Sequence, residues 1–192
     1  MDQTSGEALL PDYFGYASGV AALGARGLRS RLNSGQLIRV GRGVYRKADV
    51  SGDDDLAQVA TLSATATICL TSALAHHDLT DAIPVTIDIA VPRGSWAPVT
   101  NAPVTWHRFD PSTFDIGRTQ LPLTDDLSIG LYDAERSIVD AFRLAHAEGS
   151  DQAITALKRW LRLGGQPSLL LRTAASFPKA LPRLHFALEV LL

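Results

Sequence analysis

Two short runs, residues 37–40 (LIRV) and 44–47 (VYRK), stand on either side of Gly41-Arg42-Gly43. Glycines in so short a connection supply the positive φ that tight hairpin turns demand, so these residues read as a two-stranded hairpin. Upstream, residues 17–23 (ASGVAAL) and 25–33 (ARGLRSRLN) read as two short helices, the second closed by Ser34 and by Gly35 at a left-handed C′ position. Helix, turn, helix and a two-stranded wing is the layout of a winged helix-turn-helix, assigned here to residues 1–50.

The charge pattern gives that layout a purpose. Residues 13–47 hold seven basic side chains (Arg26, Arg29, Arg31, Arg39, Arg42, Arg46 and Lys47) and no acidic one, in a chain whose formal net charge is −2. Residues 48–192 carry 17 acids against 11 bases. Positive charge is thus segregated into one early segment, and a phosphate polyanion is the usual partner of such a patch. At about 100° per residue, Leu28 and Leu32 share one face of the second helix. Arg26 points nearly away from that face, and Arg29 and Arg31 lie on its flanks. Leucines that dock and arginines that project are what a major-groove recognition helix needs. Arg42, at the wing tip, is placed to reach a phosphate or the minor groove. Leu37, Val40 and Val44 are the expected wing contributions to the core, with Tyr45 packing across the hairpin. Gly27 inside the second helix counts against it, at about 0.5–1 kcal/mol relative to alanine.

Residues 51–192 read as a mixed α/β domain ending in a helical, bundle-like third, so the whole chain is of α+β class. After the aspartate-rich 51–55, helix is expected over 55–66 and over 72–77, with Thr71 or Ser72 as its N-cap. Strands are expected over 85–91 (VTIDIAV) and 104–109 (VTWHRF), and residues 111–126 read as loop with one short strand. LSIGLY (127–132) leads into an amphipathic helix over 134–147 with Ile138, Phe142 and Ala145 in its apolar stripe. Further helices are expected over 151–163, 167–176 and 182–192, with Pro167 and Pro182 in opening positions.

Catalytic patterns are thin. The single cysteine, Cys69, excludes an internal disulfide and a cysteine-built zinc site. His76 and His77 are adjacent, so on a helix they point about 100° apart and do not share one ion. Asp88 lies in a strand, but the position two residues on is Ala90, so the second carboxylate of a two-metal nucleotidyltransferase site is missing. No lysine follows an acid with nuclease spacing, and there is no Walker A, GxGxxG or nucleophile elbow. Asp133, Glu135, Arg136 and Asp140 read as helix capping plus an Arg136–Asp140 pair, or as a polar interface toward the first module. No catalytic residue, metal or cofactor is assigned. The acidic start MDQTSGEALLPDY lacks a secretory pattern, and no apolar run of about 18 residues occurs, so a cytoplasmic location is expected.

The pattern of a short helix, an arginine-rich helix, a glycine and LIRVGRGVY resembles the N-terminal winged helix of AbiEi-type antitoxins of type IV toxin–antitoxin systems. LTSALAHHDLTDAIP (70–84), VTIDIAVPRG (85–94) and YDAERSIVDAFR (132–143) resemble that family's C-terminal domain, so the likeness covers about residues 14–192. The resemblance implies a non-enzymatic protein that binds inverted repeats in its own promoter, represses its operon and counteracts a nucleotidyltransferase-like toxin. It places DNA contacts on Arg26, Arg29, Arg31, Arg39 and Arg42. Here an acidic leader and YFGYASG stand where a more basic start is usual. With no heptad zipper or swapped arm, a monomer that pairs only on DNA is expected. Two alternatives stay open: a DNA-targeted nuclease or nucleotidyltransferase-like enzyme dependent on Asp88, and a transcription factor whose C-terminal domain binds a small effector.

Overall fold

The computed structural model describes residues 10–145 and 150–191, with Ser150 described by its backbone alone. The chain is a mixed α+β protein whose described residues form seven α-helices and two sheets. It makes two compact units: the chain up to Ala66 with 96–104 and 120–129, and 67–95 with 105–119 and the chain from 130 onward. The boundary expected at residue 50 falls inside the first unit, because the helix after it is built into that unit.

The first unit opens with β1 (Tyr13–Gly15) and α1 (Tyr16–Asn33), followed by β2 (Leu37–Gly41) and β3 (Val44–Lys47). The sheet order is β1-β3-β2, with both pairings antiparallel. Helix α1 is broken at Gly24, the one residue left between the two expected helices. Its φ of 69° and ψ of 159° fall in a region essentially reserved for glycine. The helix ends in a Schellman arrangement: the N–H of Gly35 donates to Leu32 O at 3.2 Å and that of Gln36 to Arg31 O at 3.0 Å. Leu28, Leu37, Tyr45, Phe14 and Leu10 make the core, with Val20, Leu23 and Leu32 against it. The Phe14 and Tyr45 rings stack at 5.9 Å. Val44 is buried as expected, whereas Val40 is only half-buried and Ile38 faces solvent.

Helix α2 (Asp54–Leu62) follows, and Asp53 caps it by accepting from the N–H groups of Asp55 and Leu56, both at 3.0 Å. It stops four residues short of the expected end. Its buried stripe contains a polar side chain, Gln58. Gln58 Nε2 donates to Val40 O, and its Oε1 accepts from Thr100 Oγ1 and from Asn101 N at 2.7 Å. The packing is close enough that a Cβ on Gly41 would lie 2.0 Å from Gln58 Nε2, so a side chain there would force the Gln58 amide out of its hydrogen bonds. At the other end of the unit, Asp12 N donates to Asp126 Oδ2 at 2.9 Å.

The larger sheet has order β6-β5-β4-β8-β7, from β4 (Thr67–Ile68), β5 (Ile87–Pro92), β6 (Val104–Phe109), β7 (Arg118–Pro122) and β8 (Ser128–Tyr132). β4 runs antiparallel to β5 and parallel to β8. In the second unit, α3 (Leu70–His76), α4 (Ala134–Arg143), α5 (Ser150–Arg162), α6 (Pro167–Ala174) and α7 (Leu181–Leu191) share one apolar core. Thr71 and Ser72 lie inside α3 rather than capping it; Cys69 holds the N-cap position. Expected helix at 146, 147 and 192 lies outside the described residues.

Arg136 and Asp140 are fully buried in this unit, so they are no surface interface. Arg136 Nε meets Asp140 Oδ2 at 3.0 Å, and its Nη1 donates to Thr113 O at 2.7 Å and Ile116 O at 2.6 Å. The guanidinium carbon sits 4.2 Å from the Tyr132 ring centre and 4.4 Å from that of Phe177. Arg143 donates twice to Asp140 Oδ1, at 3.0 and 2.8 Å. A buried carboxylate held between two guanidiniums over aromatic faces satisfies charge that would otherwise be costly to bury.

Candidate nucleic-acid interface

The second segment of α1 positions the first group of arginines. Leu28 is buried, and the i, i+4 geometry then turns Arg26 and Arg29 outward. Both are exposed, and with Ala25, Ser30 and Asn33 they line a shallow concavity of about 400 Å³ along the helix. Arg31 is half-buried on the opposite flank. One helix face therefore offers two guanidiniums, a hydroxyl and an amide with no carboxylate among them.

The hairpin positions the second group. Arg42 is exposed in its turn, and the turn backbone is held because Arg42 N donates to Asn101 Oδ1 at 3.2 Å. Arg39 is exposed on β2, with Nε donating to Gly41 O at 3.2 Å.

The remaining two cations are occupied within the fold. Arg46 is only 16% exposed; its Nε lies 3.0 Å from Asp54 Oδ1, and its Nη1 donates to Val50 O at 2.7 Å and Lys47 O at 3.1 Å. Lys47 pairs with Asp12 at 3.3 Å. Tyr13 also donates to Asp54 Oδ1, at 2.7 Å, and burial together with that carboxylate pushes its phenol up to about 12. The acids that neutralise this end, Asp12 and Asp54, lie just outside the acid-free stretch, so charge counting within it missed them. Gln58 and Asn101, which brace the hairpin, were missed too; the one available sign was a glutamine amid the apolar residues of α2.

Asp88 has a different setting. Its Oδ1 lies 2.9 Å from His107 Nε2, and its N–H donates to Ser72 Oγ at 2.9 Å. A serine, an aspartate and a histidine meet here, but the aspartate is in the middle. Nucleophile activation needs the histidine between the other two, so this grouping does not form a hydrolytic triad. His77 Nε2 lies 2.8 Å from Tyr132 O, and burial followed by the neighbouring His77 holds His76 below its ordinary 6.5. Among the described residues no three His, Cys, Asp or Glu side chains gather as a metal site, and no helix is long and apolar enough to cross a membrane. No protein family and no curated protein matches this chain.

Proposed function

We propose that the chain is a DNA-binding antitoxin and autorepressor of AbiEi type, whose first unit acts as a winged helix-turn-helix. The observation that carries the reading is the acid-free face of α1 bearing exposed Arg26 and Arg29, backed by buried Leu28, beside a hairpin that exposes Arg39 and Arg42. In this reading Arg26 and Arg29 enter the major groove, Arg31 stands on the flank, and Arg39 and Arg42 hold phosphates from the wing. Arg46 and Lys47 keep the wing in place and make no DNA contact. Phosphate neutralisation supplies most of the affinity and makes it strongly salt-dependent. The protein acts in the cytoplasm on inverted repeats of its own promoter, performs no bond chemistry, and counteracts a nucleotidyltransferase-like toxin.

Fluorescence anisotropy on operator and scrambled duplexes across a salt series tests this. Arg26→Ala and Arg29→Ala lose operator discrimination, by about 1–3 kcal/mol for each bidentate base contact removed. Arg42→Ala weakens both duplexes alike and lowers the salt slope by about one. Unchanged binding in all three variants overturns the DNA reading. Failure to rescue growth when co-expressed with the adjacent gene overturns the antitoxin reading. A metal-dependent nuclease or nucleotidyl-transfer activity abolished by Asp88→Ala establishes the enzyme alternative instead.

A further inference from the structure

Tyr16, Arg39 and Asn101 reach the wing turn from three stretches of chain. Tyr16 N, at the start of α1, donates to Gly43 O at 2.8 Å. Arg39 Nε donates to Gly41 O, and Arg42 N donates to Asn101 Oδ1, each at 3.2 Å. All three residues are exposed, as is Arg42 itself. Two of them are neutral. Tyr16 is 54% exposed, whereas Tyr13, Tyr45 and Tyr132 are buried. Tyr13 and Tyr132 direct their hydroxyls to Asp54 and to Phe114 O; the Tyr16 hydroxyl has no partner among the described residues. For Asn101 the orientation of the amide follows from the bond it makes. A backbone N–H needs an oxygen, so Oδ1 faces Arg42 N, and both donors of Nδ2 are left without a partner among the described residues.

We propose that Tyr16 and Asn101 are phosphate contacts of the nucleic-acid interface: the Tyr16 hydroxyl and Asn101 Nδ2 donate to DNA backbone oxygens beside the phosphate that Arg42 holds. The proposal rests on the DNA reading and adds to it two residues that carry no charge. Phosphate oxygens accept from tyrosine and asparagine as well as from arginine, and such contacts fix the register of a protein on the duplex without reading sequence. The backbone of Tyr16 and the amide of Asn101 each touch the turn that carries Arg42, so a strand lying against the wing tip meets all three side chains. A neutral donor leaves a thermodynamic mark of its own. It adds a hydrogen bond to a charged acceptor but releases no counterion, so it raises affinity and leaves the salt slope unchanged. Arg42 contributes to both. Charge counting finds neither residue, and Asn101 lies 59 positions beyond Arg42 in the chain.

Fluorescence anisotropy of the full chain on operator and scrambled duplexes, across a salt series, tests the contacts. Tyr16→Phe removes one exposed hydroxyl and is expected to weaken both duplexes by about three- to tenfold at an unchanged salt slope. Asn101→Ala is expected to do the same, whereas Arg42→Ala lowers the slope by about one. If Asn101 served only to hold Arg42 in place, Asn101→Ala would lower the slope as well, and would cost nothing further in an Arg42→Ala background. As a contact it weakens binding again in that background. Thermal melts by circular dichroism are expected to leave Tyr16→Phe at the wild-type midpoint, so its effect on binding reports contact rather than folding. Wild-type affinity in Tyr16→Phe, or an Asn101→Ala effect that vanishes in the Arg42→Ala background, overturns the proposal. The two readings fail differently. If Arg26→Ala, Arg29→Ala and Arg42→Ala all bind as wild type, the DNA reading falls and takes these contacts with it. If Arg42→Ala weakens both duplexes while Tyr16→Phe and Asn101→Ala do not, the contacts alone fall.

Discussion

Arg42 and Arg46 carry the same charge four positions apart and do different work. Arg42 projects from a turn into solvent, while Arg46 ties β3 to the chain after it through Val50 O, Lys47 O and Asp54. Arg46→Ala is therefore expected to destabilise the fold by about 1–2 kcal/mol, since it removes the donors to Val50 O and Lys47 O and the partly buried partner of Asp54. Arg42→Ala stays within about 0.5 kcal/mol of wild type, as an exposed turn substitution should. Urea denaturation of both variants checks this; equal stability of the two would remove the distinction. The arginines on the leucine-bearing helix were legible because a helix with Leu28 and Leu32 inward has only one place to put Arg26. The fate of Arg46 was not legible. Its partner Asp54 is eight residues on, in an aspartate-rich run ahead of an expected helix, and their pairing is set by where α2 packs.

At the scale of elements, the geometry of the basic face depends on the break in α1. Gly24 holds a backbone conformation that a side chain resists, and no atom crowds the space where a Cβ would go. The cost of Gly24→Ala is thus one of backbone strain alone, about 1–3 kcal/mol. Relief of that strain draws the two segments toward one continuous helix and changes the direction in which Arg26 and Arg29 project. The expected result is a lower thermal midpoint together with weaker operator binding, whereas Gly24→D-Ala, made by chemical synthesis of the chain, retains both. Loss in the L-form matched by equal loss in the D-form would show that the position matters for some reason other than φ. Elements with a long period were legible: the amphipathic α4, the β-branched β5, and α6 opened by Pro167. β4 was not, because two residues carry no period; only pairing on both edges makes Thr67 and Ile68 a strand. Asp88 was legible as an acid in a strand, but its bond to His107 arises from β5 and β6 lying side by side, which spacing along the chain does not encode.

At the scale of the whole molecule, the first unit is not a contiguous stretch of chain. It takes in 96–104 and 120–129, and these segments satisfy groups that the first 66 residues leave open. Gln58 Oε1 is buried and depends on Thr100 Oγ1 and Asn101 N; Asn101 Oδ1 receives the turn N–H of Arg42, and Asp126 receives Asp12 N. A fragment ending at Ala66 therefore loses the donors to Gln58 Oε1 and the acceptors of Arg42 N and Asp12 N, and opens to water the surface that these segments cover. A fragment of that size has only a few kcal/mol to lose. It is expected to melt well below the full chain, or without a cooperative transition, in far-UV circular dichroism. Gln58→Leu tells this cause from simple loss of length, because its size depends on context. In the full chain it strands Thr100 Oγ1 and Asn101 N and lowers the midpoint. In the fragment those donors are already absent, so only the bond from Nε2 to Val40 O is lost and the midpoint shifts less. If Gln58→Leu lowers both proteins by the same amount, the amide is not what joins the later segments to the first 66 residues.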